Sequence, residues 1–219
     1  MFVNFVDHNE IVMKPYRVPE KENIDLDAFR EPDSTFSGYT YADYLTWNFE
    51  EIVELIKGKV FKKAAAPNRR HQAVSMTLSR IFGNYLVGHK CKVYAAPFDV
   101  RLSKDPDFKT IDSVVQPDIS VICDPSKLDE KGCLGAPDLI VEILSPSNSQ
   151  VELQNKYDLY QEFGVKEYWI IHPAENTLQI NVLVDGVYQP SRLFTTGQKV
   201  TSTVLPGFEL DLKEVFEES

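Results

Sequence analysis

The chain has 219 residues, 43% hydrophobic and 11% aromatic, which suits one domain of moderate size with a substantial apolar core. Its formal charge of −10 and pI near 4.9 exclude an electrostatic grip on nucleic acid over the whole surface, but not a local basic groove. No apolar run approaches the roughly 20 residues of a membrane span, and Met1-Phe2-Val3-Asn4-Phe5-Val6-Asp7 lacks the basic start and long apolar centre of a signal peptide, so a cytoplasmic protein away from membranes is expected.

Residues 1–38 carry little periodicity, and Asp25, Asp27, Glu31, Pro32, Asp33 and Ser34 give them loop chemistry. They read as an N-terminal extension or arm, with residues 39–219 forming a single domain. Thr40-Tyr41-Ala42-Asp43-Tyr44-Leu45 reads as a short helix capped by Thr40. Residues 51–64 read as two strands meeting at Lys57-Gly58, where glycine permits positive φ. After a break at Pro67-Asn68, residues 70–87 form a helix: Val74, Leu78, Ile81, Phe82, Tyr85 and Leu86 recur at three and four residues, and Gly88 stops it. Lys57, Lys59, Lys62, Lys63, Arg69 and Arg70 fall within 14 residues, the densest positive stretch, and the plainer reading of them is a solvated face.

Residues 92–97 and 98–102 alternate as strands before a polar loop at 103–110. Residues 114–122, holding Gln116-Pro117-Asp118, read as a first strand with an acid. Residues 139–144 form a second, whose near-continuous apolar character implies burial on both faces. Glu142 inside it would be costly to bury without a partner, and a structural ion pair explains it as well as a functional role does. Residues 147–163 read as a helix carrying Lys156, capped by Ser147 and stopped by Gly164; no Gly-x-Ser-x-Gly elbow surrounds Ser145 or Ser147. A strand at 167–171 follows, then a hairpin of 178–184 with 187–188 around Asp185-Gly186, and a tail ending in a short amphipathic helix. The three cysteines, Cys91, Cys123 and Cys133, are odd in number and widely spaced; reduced thiols are the simplest reading, with Cys123 a buried structural one.

Two acids on neighbouring strands and a lysine on the next helix are the minimal equipment for metal-assisted phosphodiester hydrolysis. Asp118 and Glu142 satisfy this if their strands pair, and a helix packing back over the sheet would bring Lys156 to them. A lysine there can orient water or stabilise transition-state charge.

Gln116-Pro117-Asp118, Pro137-Asp138-Leu139-Ile140-Val141-Glu142-Ile143-Leu144-Ser145-Pro146-Ser147, Lys156-Tyr157-Asp158-Leu159-Tyr160 and Gly164-Val165-Lys166-Glu167-Tyr168-Trp169 together resemble the PD-(D/E)XK nuclease superfamily. The nearest likeness is to its branch of bacterial restriction endonuclease-like proteins, once classed only as a domain of unknown function, and it runs over residues 40–183. Glu54-Leu55-Ile56-Lys57-Gly58-Lys59 and Arg70-His71-Gln72 resemble upstream parts of that branch. The resemblance implies an α/β fold with a restriction-endonuclease-like core, a mixed central β-sheet flanked by helices. It implies Mg²⁺ or Mn²⁺ held by Asp118 and Glu142, with Lys156 as the catalytic lysine because Leu144 fills the superfamily's usual lysine position. Glu54 matches an acid serving metal or metal-bound water, and His71 and Gln116 match polar positions near the site. Lys57 and Lys59 depart from the branch, which has acids there, and His172 replaces an Asp, which makes it a surface or turn residue.

The expected function is a Mg²⁺-dependent endonuclease acting on DNA as a homodimer, since twofold symmetry matches a cut in both strands. The alternative is a catalytically inactive nuclease fold kept as an interaction or regulatory module, favoured by the acidic pI; a hydrolase of small phosphorylated substrates stands third. Tyr157, Tyr160, Tyr168 and Trp169 read as core or dimer contacts rather than base-stacking platforms.

Overall fold

A computed structural model describes residues 38–48, 52–62, 68–145 and 150–217. The expected N-terminal extension therefore lies, but for residue 38, outside the described residues. In chain order the elements are α1 (Tyr41–Tyr44), β1 (Val53–Ile56), β2 (Lys59–Lys62), α2 (Arg69–Tyr85), β3 (Lys92–Ala95), β4 (Val100–Arg101), β5 (Val114–Val115) and β6 (Ile119–Ile122). Then come β7 (Leu128–Asp129), β8 (Gly132–Leu134), β9 (Leu139–Ile143), α3 (Gln150–Phe163), β10 (Glu167–His172), β11 (Thr177–Val184) and β12 (Val187–Pro190). Short strands β13 (Phe194–Thr195), β14 (Lys199–Thr201) and β15 (Glu209–Asp211) precede α4 (Leu212–Glu217).

Two large sheets and a small antiparallel pair, β14-β15, are built from these. The first runs β2-β1-β5-β4-β8-β7 and the second β12-β11-β10-β9-β6-β3, with β13 added to β11. The second is the expected mixed central sheet: β9 and β10 are parallel, joined by α3 as the crossover helix such a pair requires, while β6 pairs with β9 antiparallel. The stretch 114–122 is not one strand. Its first two residues belong to the first sheet and its last four to the second. Pro117 lacks a backbone N–H, so no ladder can run through it, and Gln116-Pro117 becomes the passage from one sheet to the other.

Side-chain alternation sorts the core into layers. On one face of the mixed sheet Ile119, Val121, Leu139, Val141 and Trp169 pack with Val74, Leu78 and Phe82 of α2 and with Val215 and Phe216 of α4. The α2 residues recur every four positions, so one stripe of the helix meets the sheet. On the other face Ile140 and Tyr168 meet Leu159 and Tyr160 of α3, together with Val100 and Val115 of the first sheet. Tyr160, Tyr168 and Trp169 are thus core residues, as expected. A third cluster, Tyr41, Val53, Leu55, Val60, Ile111 and Val114, joins α1 to the first sheet.

Local signals fix the remaining elements. The N–H and hydroxyl of Thr40 both donate to Asp43 Oδ2 at 2.8 Å, closing the start of α1. Lys57 and Gly58 have φ of 51° and 74°, the doubly left-handed turn that matches strand twist and favours glycine at its second position. Asn68 caps α2 by accepting the His71 N–H at 2.9 Å, so the helix begins one residue earlier than its apolar period suggests. The expected cap at Ser147 falls outside the described residues.

The expectation of three reduced thiols is corrected: Cys91 and Cys123 form a disulfide. Lys92 pairs with Ile122 across β3 and β6, and one further step in that register sets the two cysteines opposite each other. Cys133 is a free, buried thiol, and burial pushes its pKa up to about 11, so it is inert as a nucleophile. His172 sits part-buried at the end of β10 opposite Thr177, at the turn into β11.

Candidate active site

Ile119 pairs with Val141, Ser120 with Ile140 and Val121 with Leu139. One step further along this antiparallel register sets Asp118 opposite Glu142, two carboxylates at one end of the mixed sheet. Asp118 follows Pro117 at the point where β6 begins. Its Oδ2 accepts the Ile143 N–H at 2.7 Å, closing the end of the ladder, and His71 Nε2 of α2 stands 3.4 Å from the same oxygen.

Glu142 is 5% exposed. Its Oε1 accepts two hydrogen bonds, from Lys156 Nζ at 2.9 Å and from the Tyr160 hydroxyl at 2.7 Å. Lys156 and Tyr160 are four residues apart on α3 and so share one face of that helix. The Lys156 ammonium also lies 3.0 Å from Glu54 Oε1 and 2.9 Å from Oε2, which brings a carboxylate of the first sheet to one of the second. Glu54 Oε1 accepts the Gln116 N–H at 2.9 Å as well. The Gln116 side chain turns away and donates to Asp99 Oδ1 at 2.8 Å and to the Tyr44 hydroxyl at 3.3 Å.

All six residues singled out in the sequence are therefore neighbours: His71 touches Asp118, Asp118 faces Glu142 across the ladder, and Lys156 joins Glu142 to Glu54, which Gln116 holds by its backbone. Tyr160 carries a contact its aromatic spacing did not announce. The signal was its position four residues after Lys156. Asp99 and Tyr44, which anchor Gln116, had no sequence signal.

Burial is the largest influence on Lys156 and by itself favours the neutral amine, but the charges of Glu142 and then Glu54 outweigh it, so its pKa lies well above that of an ordinary lysine. Burial, and next the charge of Glu142, likewise hold the Tyr160 phenol well above its ordinary range, so it remains a donor. Against three buried carboxylates, Glu54, Asp118 and Glu142, stands one buried ammonium. Counted as ionised, these three acids and one ammonium leave two negative charges, the charge of one divalent cation.

Among the described residues no three His, Cys, Asp or Glu side chains form a ready-made ion cage. Mg²⁺ does not require one, since it is usually held by one or two carboxylates and completes its shell with water and substrate oxygens. The oxygen donors of Asp118 and Glu142 and the excess negative charge fit such an ion.

The family model for Uma2, described as "Putative restriction endonuclease", matches residues 41–213 and spans every residue of the cluster. The chain belongs to the Uma2 family. An uncharacterized protein of a Synechocystis strain is 27% identical to it over 131 residues, 59% of this chain and 65% of that protein, so less than two thirds of that relative is spanned. A crystal structure from Anabaena variabilis, of a "putative nuclease belonging to DUF820", superposes with a TM-score of 0.67 over 82% of this chain and 98% of the other, at 22% identity. At that identity the likeness establishes a shared fold. For a Uma2 protein the mixed sheet and its flanking helices are thus the family scaffold, and the likeness to restriction endonuclease-like proteins found in the motifs is borne out.

Proposed function

We propose that this Uma2 protein is a metal-dependent endonuclease that hydrolyses DNA phosphodiester bonds at the cluster of Asp118, Glu142 and Lys156. The observation that supports the reading is the β6–β9 register, which runs on to two buried acids facing each other, with Lys156 of α3 hydrogen-bonded to one of them. Asp118 and Glu142 would hold Mg²⁺ or Mn²⁺. An ion held there supplies neutralising charge for the phosphodiester and a more acidic water. Lys156 brings an ammonium that stabilises charge growing on the phosphoryl oxygens. Glu54 tethers that ammonium, and the Gln116 N–H fixes Glu54. His71 lies against Asp118 in the first turn of α2, where Arg69 is exposed; the helix's positive end and that arginine give local attraction for phosphate in a chain of net negative charge. The reading includes a cytoplasmic homodimer, for which light scattering on the purified protein is the check.

The test is supercoiled plasmid incubated with Mg²⁺ or Mn²⁺. Wild type nicks or linearises it, and Asp118→Asn, which keeps an oxygen acceptor for the Ile143 N–H, does not. Equal cleavage by the two proteins refutes the assignment. One observation favours the inactive interaction module: Lys156 already neutralises part of the acid cluster without a metal. Calorimetric titration with Mn²⁺ separates the readings, since a module of that kind shows no binding heat that Asp118→Asn abolishes.

A further inference from the structure

We propose that Tyr160 is a positioning residue, whose hydroxyl holds Glu142 in the orientation that receives the divalent ion. The inference rests on the metal-dependent reading above. Glu142 Oε1 has two donors of different kinds, an ammonium and a phenol. Lys156 is an imperfect support for a metal ligand. Its charge opposes a nearby cation, and its ammonium is shared with Glu54. A neutral hydroxyl orients the carboxylate with no such repulsion.

The tyrosine is also the more rigid of the two. Its ring is fully buried, set edge-on to Tyr168 at 5.0 Å between centroids, and backed by Leu159 and Val165 in the same core cluster. Tyr168 supplies an internal control. It lies in the same cluster and is equally buried, but among the described residues its hydroxyl has no hydrogen-bond partner.

The experiment titrates Mn²⁺ calorimetrically into wild type, Tyr160→Phe, Tyr168→Phe and Asp118→Asn, with thermal melting of each metal-free protein alongside. Both phenylalanine variants keep the ring and the packing. Tyr160→Phe is expected to bind Mn²⁺ about tenfold more weakly, the lower end of the effect of removing a partner that orients a metal ligand, and Tyr168→Phe is expected to match wild type. If the proteins can cleave, the Mn²⁺ concentration for half-maximal cleavage rises in Tyr160→Phe, and high Mn²⁺ restores its rate, which a purely structural hydroxyl would not produce. Equal affinity in Tyr160→Phe and wild type overturns the positioning role and leaves the metal site standing. Equal weakening in both phenylalanine variants also overturns it, since that reports general loosening of the cluster. Absence of Mn²⁺ binding in wild type overturns both this role and the metal-dependent reading.

Discussion

Replacing Lys156 by Met is the sharpest test of how the cluster is held. Met keeps most of the aliphatic length and removes the ammonium, so the packing loss is small and the electrostatic loss dominates. Glu54 and Glu142 are 2% and 5% exposed, too buried for water to take over from the lysine. Removing one member of a buried, hydrogen-bonded ion pair costs about 3–5 kcal/mol, because the remaining charge is left unpaired. For a domain of this size each kcal/mol moves Tm by about 2–4 °C, so the melting point should fall by ~6–20 °C. Urea denaturation followed by circular dichroism measures the change, and an unaltered m-value confirms that the folded and unfolded surfaces are unchanged. A loss below ~1 kcal/mol, the scale of an exposed salt bridge, would falsify the picture of a sealed triad. The pH dependence supplies a second check. The pKa of Lys156 is raised on folding, so its stabilising contribution is fully present below the ordinary lysine value of 10.5 and is lost as pH rises through the higher folded value. Wild type should therefore lose this increment only in strongly alkaline solution.

Two further substitutions probe the framework around the site. Arg101 is fully buried; its Nη2 meets the half-exposed Asp129 at 2.6 Å, while among the described residues its Nε and Nη1 have no hydrogen-bond partner. Arg101→Met should change stability by only about 1 kcal/mol in urea, since Met fills the buried space and the Asp129 carboxylate left behind is half-exposed and solvated by water. Arg101→Ala should lose several times more by opening a cavity beside Tyr41 and Phe108; equal losses would contradict this. Gly132 has φ of 121°, and a Cβ there would collide with the Asp99 carbonyl oxygen. Gly132→Ala should cost at least about 1–3 kcal/mol and lower Tm, whereas an unchanged Tm would show that the backbone yields freely.

What was legible in the chain was local. Lys57-Gly58 and Asp185-Gly186 announced their hairpins because each turn needs two residues at positive φ, and both pairs have it. The stripe of Val74, Leu78 and Phe82 announced α2, and the near-continuous apolar run announced β9 as buried on both faces. What was hidden is non-local. Residues 114–115 and 119–122 are equally strand-like, and which sheet each joins depends on partners far along the chain; only Pro117 hinted at the break. The Cys91–Cys123 bond could be inferred only from the register of β3 on β6. Asp118, Glu142 and Lys156 could be picked out by their motifs, but the partners that hold them could not. Glu54 reaches Lys156 from the other sheet, and Tyr160 hides a polar contact inside an apolar pattern.

The short passage at Gln116-Pro117 has a consequence for how the molecule comes to exist. Glu54 and Lys156 are separated by 102 residues yet lie 3.0 Å apart. Contacts of such long range pay their chain entropy before any interaction rewards it, and they slow folding. Glu54, Asp118 and Glu142 also all leave the ribosome before Lys156. Until α3 is synthesised and docks, burying the acids carries the full cost of sealing away unpaired charge. Sealing Glu54 and Glu142 against each other is therefore favoured only once Lys156 is available to stand between them.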